Sequence, residues 1–358
     1  FDFEEINALT VFVEWALLTA ALIGLYFIGQ RRGFLAAFVP LASMGIGIAE
    51  YFVFLFKGQP LQPGDMLALG TAASVAEGYI YTVSAQCLWG VTFGILALLV
   101  CAVLAQFRRR PEELGGAPFS PARRNAGVLV NAIVGFAFLA AIVSNVTGVD
   151  YCSVYEVYYS SWNVSWTYSA HAYIPTFIAG CQLMVPKKPT AYSVDAAGAL
   201  LAEYASAYDS SDIGSAINEA RAAAEAQFGD VKPSVVAVMN ETFSDLSVFD
   251  GMHAGYDGPQ YFKSMGDCVS RGKFYTSVNG GGTTNTEFEF LTGASMANFG
   301  PGVYPYTVYN LTQAENLARF FSDLGYSTLA MHQQLGTNWN RVNAYRDLGF
   351  DDFLTYED

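Results

Sequence analysis

Charge is scarce in this chain. Only 14% of its 358 residues are Asp, Glu, Lys or Arg, and 53% are hydrophobic, whereas an ordinary soluble domain carries about 25% charge. A uniformly water-soluble fold is thereby excluded, and a membrane protein is the first inference. Basic residues are the scarcer sign: 18 Lys and Arg stand against 32 Asp and Glu, giving a net charge of −14. Nucleic acid requires a basic face, so that class of partner is excluded, and an anionic substrate would need local cations or a metal. Histidine is nearly missing, with only His171, His253 and His332. The five cysteines (Cys87, Cys101, Cys152, Cys181 and Cys268) contain no CxxC pair and no His at zinc spacing, which argues against a structural zinc site. Cys152 and Cys181 either pair outside the cell or remain separate thiols, and both readings stay open.

The apolar residues are concentrated in the first half of the chain. Four runs, near 10–29, 34–56, 88–107 and 127–149, have the roughly 20 apolar residues needed to cross a hydrocarbon layer. Arg31 and Arg32 separate the first two runs, and Arg108, Arg109, Arg110, Arg123 and Arg124 separate the last two, whereas 58–86 contains no Lys or Arg. By the positive-inside rule both Arg-bearing loops are cytoplasmic, and residue 1, the 58–86 loop and everything after Val149 are external. An external start without an initiating Met leads to the expectation of a further span upstream, with a cleaved signal as the competing explanation. Glu14 and Glu50 lie within or at the edges of spans and read as carboxylates reaching the outer interface, with no assigned role.

The expected organisation is a transmembrane domain over 1–150, an interfacial aromatic segment and linker over 151–192, and an external α/β domain over 193–358. Tyr155, Tyr158, Tyr159, Trp162, Trp166, Tyr168 and Tyr173 crowd the middle segment, as in aromatic belts at a membrane boundary. The apolar run 174–185 is too short to span, and Pro186-Lys187-Lys188-Pro189 marks a domain boundary. Helical spacing over 193–228, broken at Asp209-Ser210-Ser211-Asp212, predicts helices. A buried strand is expected at 234–239, a helix near 259–271, a strand at 274–278, a helix after Thr283, a helix at 313–324 and a strand at 327–331. This alternation implies a largely parallel sheet, whose ligands gather at the carboxyl ends of strands.

Those strand ends carry complementary groups. Asn240-Glu241 follows the first strand, and Glu241 would ligate a divalent cation through oxygen; a helix-start carboxylate is the plain alternative. Gly280-Gly281-Gly282-Thr283 permits close backbone approach and places Thr283 at a helix start, where the dipole favours an anion; an N-capping Thr after a Gly-rich turn is the plain alternative. The last strand leads to His332 and on to Trp339-Asn340-Arg341, where Arg341 would fork onto a phosphate and Trp339 would cover a substrate face. Core packing for Trp339 and a surface salt bridge for Arg341 are the corresponding alternatives.

The runs from Pro233 to Leu246 and from Gly280 to Gly293, followed by Trp339-Asn340-Arg341, closely resemble the lipoteichoic acid synthase type of membrane phosphoglycerol transferase, within the sulfatase and alkaline phosphatase superfamily. The resemblance implies a multispan helical domain followed by an extracellular α/β domain, mainly parallel and incomplete at its C-terminus. It implies Thr283 as a metal-bound nucleophile, Glu241 as a metal ligand, Trp339 and Arg341 as headgroup binders, and His332 more weakly so. The implied cation is manganese or magnesium, and the implied substrates are phosphatidylglycerol and a growing polyglycerolphosphate chain at the cell membrane of a Gram-positive bacterium. A phosphoethanolamine transferase, a sulfate or phosphate ester hydrolase, and a silent lipid- or polymer-binding homologue are the rival readings. The family completes its metal site with a downstream Asp-His pair. No Asp-His dipeptide occurs in this chain, and the expectation is a fragment truncated at both ends.

Overall fold

The structure, a computed structural model, describes residues 6–70, 81–106, 120–160, 163–185, 188, 190–229, 231–240, 243, 245–249, 251, 255–266, 274–278, 282–300 and 302–358. Among the described residues four helices are long and apolar enough to cross a membrane: α1 (Ala8–Ile28), α2 (Phe38–Lys57), α3 (Ala85–Gln106) and α4 (Pro121–Gly148). Their apolar residues need no periodic stripe, because lipid solvates every face. Phe12, Trp15, Trp89 and Phe136 accordingly point away from the protein. Asn7 caps α1 by accepting from the Leu9 N–H at 2.9 Å, and Ser120 caps α4 through the Arg123 N–H.

The first and fourth helices pack along each other, and the second packs against the third. Close approach of the first pair depends on small residues, as is usual where lipid removes the hydrophobic drive between helices. A Cβ on Gly135 would lie 2.7 Å from the Gly24 carbonyl oxygen and 2.6 Å from Ile28 Cγ1. Near the same ends, Asn131 Nδ2 donates to Gln30 Oε1 at 3.1 Å.

The aromatic segment folds over the opposite ends of these helices as α5 (Tyr151–Val154), α6 (Val164–Ala170) and α7 (Tyr173–Leu183). Tyr151, Val157 and Ala179 bury against Val13 of α1. Glu14 accepts from the Ile174 N–H at 2.8 Å, at the start of α7, where the helix dipole favours a carboxylate. Gln182 accepts from the Tyr151 N–H and donates to the Val146 and Val149 carbonyls, thereby satisfying the end of α4. His171 Nε2 accepts from the Tyr158 N–H at 3.2 Å, and burial lowers its pKa from the usual imidazole value. No disulfide joins the described cysteines.

Two compact units emerge, one comprising Phe1–Val185 with Tyr275–Asp358 and the other Pro186–Phe274. The second contains α8 (Val194–Asp209) and α9 (Asp212–Phe228), capped by Ser193 and Ser211, so the expected break falls at 209–212. Its α10 covers Gln260–Ser264 and ends before Met265; the remainder of the helix expected near 259–271 lies, from 267 on, outside the described residues. The strand expected at 234–239 is not formed: 231–240 adopt no regular structure, and Val236 and Val238 are each 82% exposed. A strand exists through its ladder, and this apolar run finds no ladder partner among the described residues.

In the first unit, 275–358 build α11 (Thr283–Thr292), α12 (Pro305–Val308), α13 (Leu317–Asp323), β1 (Leu329–Met331), α14 (Arg341–Leu348) and β2 (Asp352–Leu354). The two strands pair in parallel, Leu329 with Asp352 and Met331 with Leu354, through a crossover containing α14. The strand expected at 274–278 is irregular, and the helix expected at 313–324 is confined to α13. Phe288, Tyr306, Leu311, Ala330, Tyr345 and Leu348 form the core between these elements.

Gly135→Val is expected to destabilise the helical part by about 2 kcal/mol through overpacking. Thermal unfolding of the detergent-solubilised protein measures this, and an unchanged midpoint would show that the first and fourth helices do not pack through Gly135.

Candidate active site

The start of α11 is shaped by Gly282, whose φ of 80° and ψ of 43° lie in the left-handed region that side chains beyond Gly avoid. Among the described residues no side chain caps this helix. Its first N–H groups lie at the positive end of the helix dipole, and the Asn285 N–H closes the first turn onto the Gly282 carbonyl at 2.8 Å. Thr283 is the first helical residue and is half-buried. This is the geometry for holding an anionic group against a threonine hydroxyl.

Three anchors hold the helix start. Asn285 Nδ2 donates to the Val303 carbonyl at 2.9 Å. Glu289, buried one turn further on, accepts from the Ser277 and Met296 N–H groups, tying the chain before the Gly-rich loop to the chain after the helix. The third anchor is Glu287. Its Oε2 lies 3.1 Å from Arg341 Nη2, and its Oε1 accepts from the Tyr306 hydroxyl at 2.9 Å and from the Tyr345 hydroxyl. Arg341, only 2% exposed, also donates to Thr284 Oγ1 at 3.3 Å.

A charge this deeply buried persists only when it is paired and hydrogen-bonded. Burial alone would depress the guanidinium pKa, but the adjacent Glu287 carboxylate outweighs it and raises the pKa. Burial, followed by the Glu287 charge, pushes both tyrosine hydroxyls well above their usual range, which keeps them protonated as donors.

Trp339 and Asn340 have φ values of 57° and 59°. Consecutive left-handed residues other than Gly are costly and persist where surrounding contacts impose them. Asn340 Nδ2 donates to the Tyr306 carbonyl at 2.6 Å, and the Trp339 ring lies against Tyr304, with centroids 4.5 Å apart.

The structure therefore joins Arg341 to the start of the Thr283 helix and places Trp339 against Tyr304. His332 follows β1, half-buried, and its N–H donates to the Leu354 carbonyl. Glu241 lies outside the described residues. Sequence reasoning missed Glu287, Tyr304, Tyr306 and Tyr345. Glu287 had one legible signal, its position one turn after Thr283; the tyrosines had none, because their contacts are tertiary.

Residues 233–358 match the sulfatase family. Over 126 residues the chain is 34% identical to a protein of Rhizobium meliloti (strain 1021) provisionally named cyclic beta-1,2-glucan modification protein, a match covering 35% of this chain and 19% of that relative. The chain thus spans about a fifth of the relative's length. No solved structure matches. The four long apolar helices are followed in the chain by the segment that matches the sulfatase family.

Sulfatase-family enzymes typically use a divalent metal. Among the described residues no group of three His, Cys, Asp or Glu converges. These residues do not by themselves assemble a metal site.

Arg341→Met is expected to destabilise the fold by about 3 kcal/mol, because it strands a carboxylate shielded from water, and adding Glu287→Gln should restore part of the loss. Thermal unfolding of the detergent-solubilised protein decides this. Unchanged unfolding with weakened ligand binding would instead assign the guanidinium to the substrate.

Proposed function

We propose that the intact protein is a membrane phosphoglycerol transferase that moves glycerophosphate from phosphatidylglycerol to a hydroxyl of an extracellular acceptor, with Thr283 as nucleophile. The observation that carries this reading is a helix start bearing a threonine behind a left-handed glycine, within a segment that matches the sulfatase family and in a chain whose described residues include four membrane-length apolar helices. In the first step the Thr283 oxygen forms a bond to phosphorus, the bond to the diacylglycerol oxygen breaks, and that oxygen takes up a proton. In the second step the acceptor hydroxyl attacks the phosphothreonine and the Thr283 hydroxyl is restored. Such transfers depend mainly on positioning and charge neutralisation. The N-terminal N–H groups of α11 supply part of both.

Trp339 is the proposed cover for the headgroup, and His332 a weaker contact. Arg341, first expected on the phosphate, is proposed to act through Glu287 and Thr284. Glu241 and Thr283 are the proposed ligands of a divalent cation, manganese or magnesium, and coordination lowers the pKa of a bound hydroxyl.

A growing polyglycerolphosphate chain is the acceptor in the lipoteichoic acid reading. The name of the Rhizobium relative favours a second reading, in which the acceptor is a glucan hydroxyl.

The intact protein in vesicles containing headgroup-labelled phosphatidylglycerol is expected to release diacylglycerol, with label trapped on Thr283 and found by peptide mass spectrometry. Thr283→Ala should lower release by at least about 1,000-fold, as expected for loss of a nucleophile. Undiminished turnover in that variant would overturn the assignment. Supplying glycerophosphate polymer or cyclic glucan as acceptor separates the two readings.

A further inference from the structure

The connection leaving α2 is unusually committed for a loop between membrane-length helices. Its short 3₁₀ turn, Pro63–Ala68, is preceded by buried Leu61 and Gln62. Glu50 accepts from the Leu61 N–H at 2.7 Å. Asp65 accepts from the Gln62 N–H at 2.8 Å and pairs with Lys57, the last residue of α2, at 2.7 Å. The loop is thus tied twice to the helix from which it emerges.

Its other side meets the sulfatase-family segment. A Cβ on Gly64 would fall 1.6 Å from the Gly302 carbonyl oxygen, and one on Gly302 would lie 3.0 Å from Gln62 Oε1. The two backbones touch where neither residue has a side chain. Beside this contact, the hydroxyl of buried Tyr304 donates to Asp65 Oδ1 at 3.4 Å. That distance is long, so this bond orients more than it stabilises. The Tyr304 ring is the one that lies against Trp339. A continuous set of contacts therefore runs from Lys57 at the end of a membrane-length helix, through Asp65 and Tyr304, to the strained Trp339.

We propose that Asp65 is a positioning residue of the substrate site, acting through Tyr304 to hold Trp339 at the height of a phospholipid headgroup. This inference rests on the headgroup role proposed for Trp339. It assigns the turn Pro63–Ala68 to the substrate site, so that the helical part does more than anchor the catalytic part. A soluble glycerophosphate ester, free to approach without a membrane, should depend on Asp65 far less than the lipid does.

The test uses the intact protein in lipid nanodiscs with four variants, Asp65→Ala, Asp65→Glu, Tyr304→Phe and Tyr304→Leu, and with Trp339→Phe as the spectral reference. Asp65→Ala and Tyr304→Leu are expected to raise KM for phosphatidylglycerol about tenfold with kcat changed less than about threefold, as for a positioning defect. Tyr304→Phe, which keeps the ring and loses only the hydroxyl, should fall between them and the parent, and Asp65→Glu should recover part of the loss. Independently of turnover, the emission of Trp339, isolated by subtracting the spectrum of Trp339→Phe, should shift and become more accessible to acrylamide in Asp65→Ala and Tyr304→Leu. Unchanged emission in both variants overturns the proposal, as does altered emission in an active protein whose KM for lipid stays the same. A parent protein inactive on every lipid offered sinks the transferase reading, whereas the coupling of Asp65 to Trp339 is still decided by the emission.

Discussion

The buried pair between Arg341 and Glu287 is the constraint on which the candidate site depends. An arginine 2% exposed to solvent cannot remain there as an isolated charge, so the fold must deliver a carboxylate to it. Helix α11 does so one turn after Thr283. The Tyr306 and Tyr345 hydroxyls then satisfy the remaining carboxylate oxygen, and these same rings fill the apolar core. The helix start is therefore rigid for the reason the core is packed: the residues that orient it are also the residues that exclude water. A site for the proposed transfer chemistry would benefit directly, because most of its work is positioning.

The helical part is held by different forces. Lipid is as apolar as the side chains it contacts, so small residues and a few polar bonds decide which helices touch. Gly24 against Gly135, and Gln30 with Asn131, serve this for α1 and α4. Glu14 and Glu50, ionisable groups on membrane-length helices, each accept from a backbone N–H at the start of a following segment. They organise the aromatic segment and the α2–α3 connection. Both segments in turn meet 275–358: the connection meets Gly302 and Tyr304, while Leu183 approaches Gly300.

Legibility differed by element for physical reasons. The membrane-length helices could be read directly, since roughly 20 uninterrupted apolar residues have few other uses. The break between α8 and α9 was also legible, because Ser211 caps the second helix with its own side chain. The expected strand at 234–239 has the right composition, yet composition cannot supply a ladder partner. Its valines are exposed. The helix at Thr283 was legible from local chemistry, glycines followed by a helical pattern. Arg341 was legible as a residue of interest but not as a partner of Glu287, which is 54 positions away.

What the sequence determined by itself was therefore local or solvent-driven: four runs that lipid must cover, serine caps, and a glycine turn placing Thr283 at a helix start. The tertiary structure alone decided which charges meet. Arg341 turned inward to Glu287 and Thr284, Trp339 was laid on Tyr304, and Asp65 was carried from the end of α2 to that tyrosine. Such pairings join residues far apart in the chain, and their energies depend on water being excluded around them. That exclusion arises only when the whole fold is assembled.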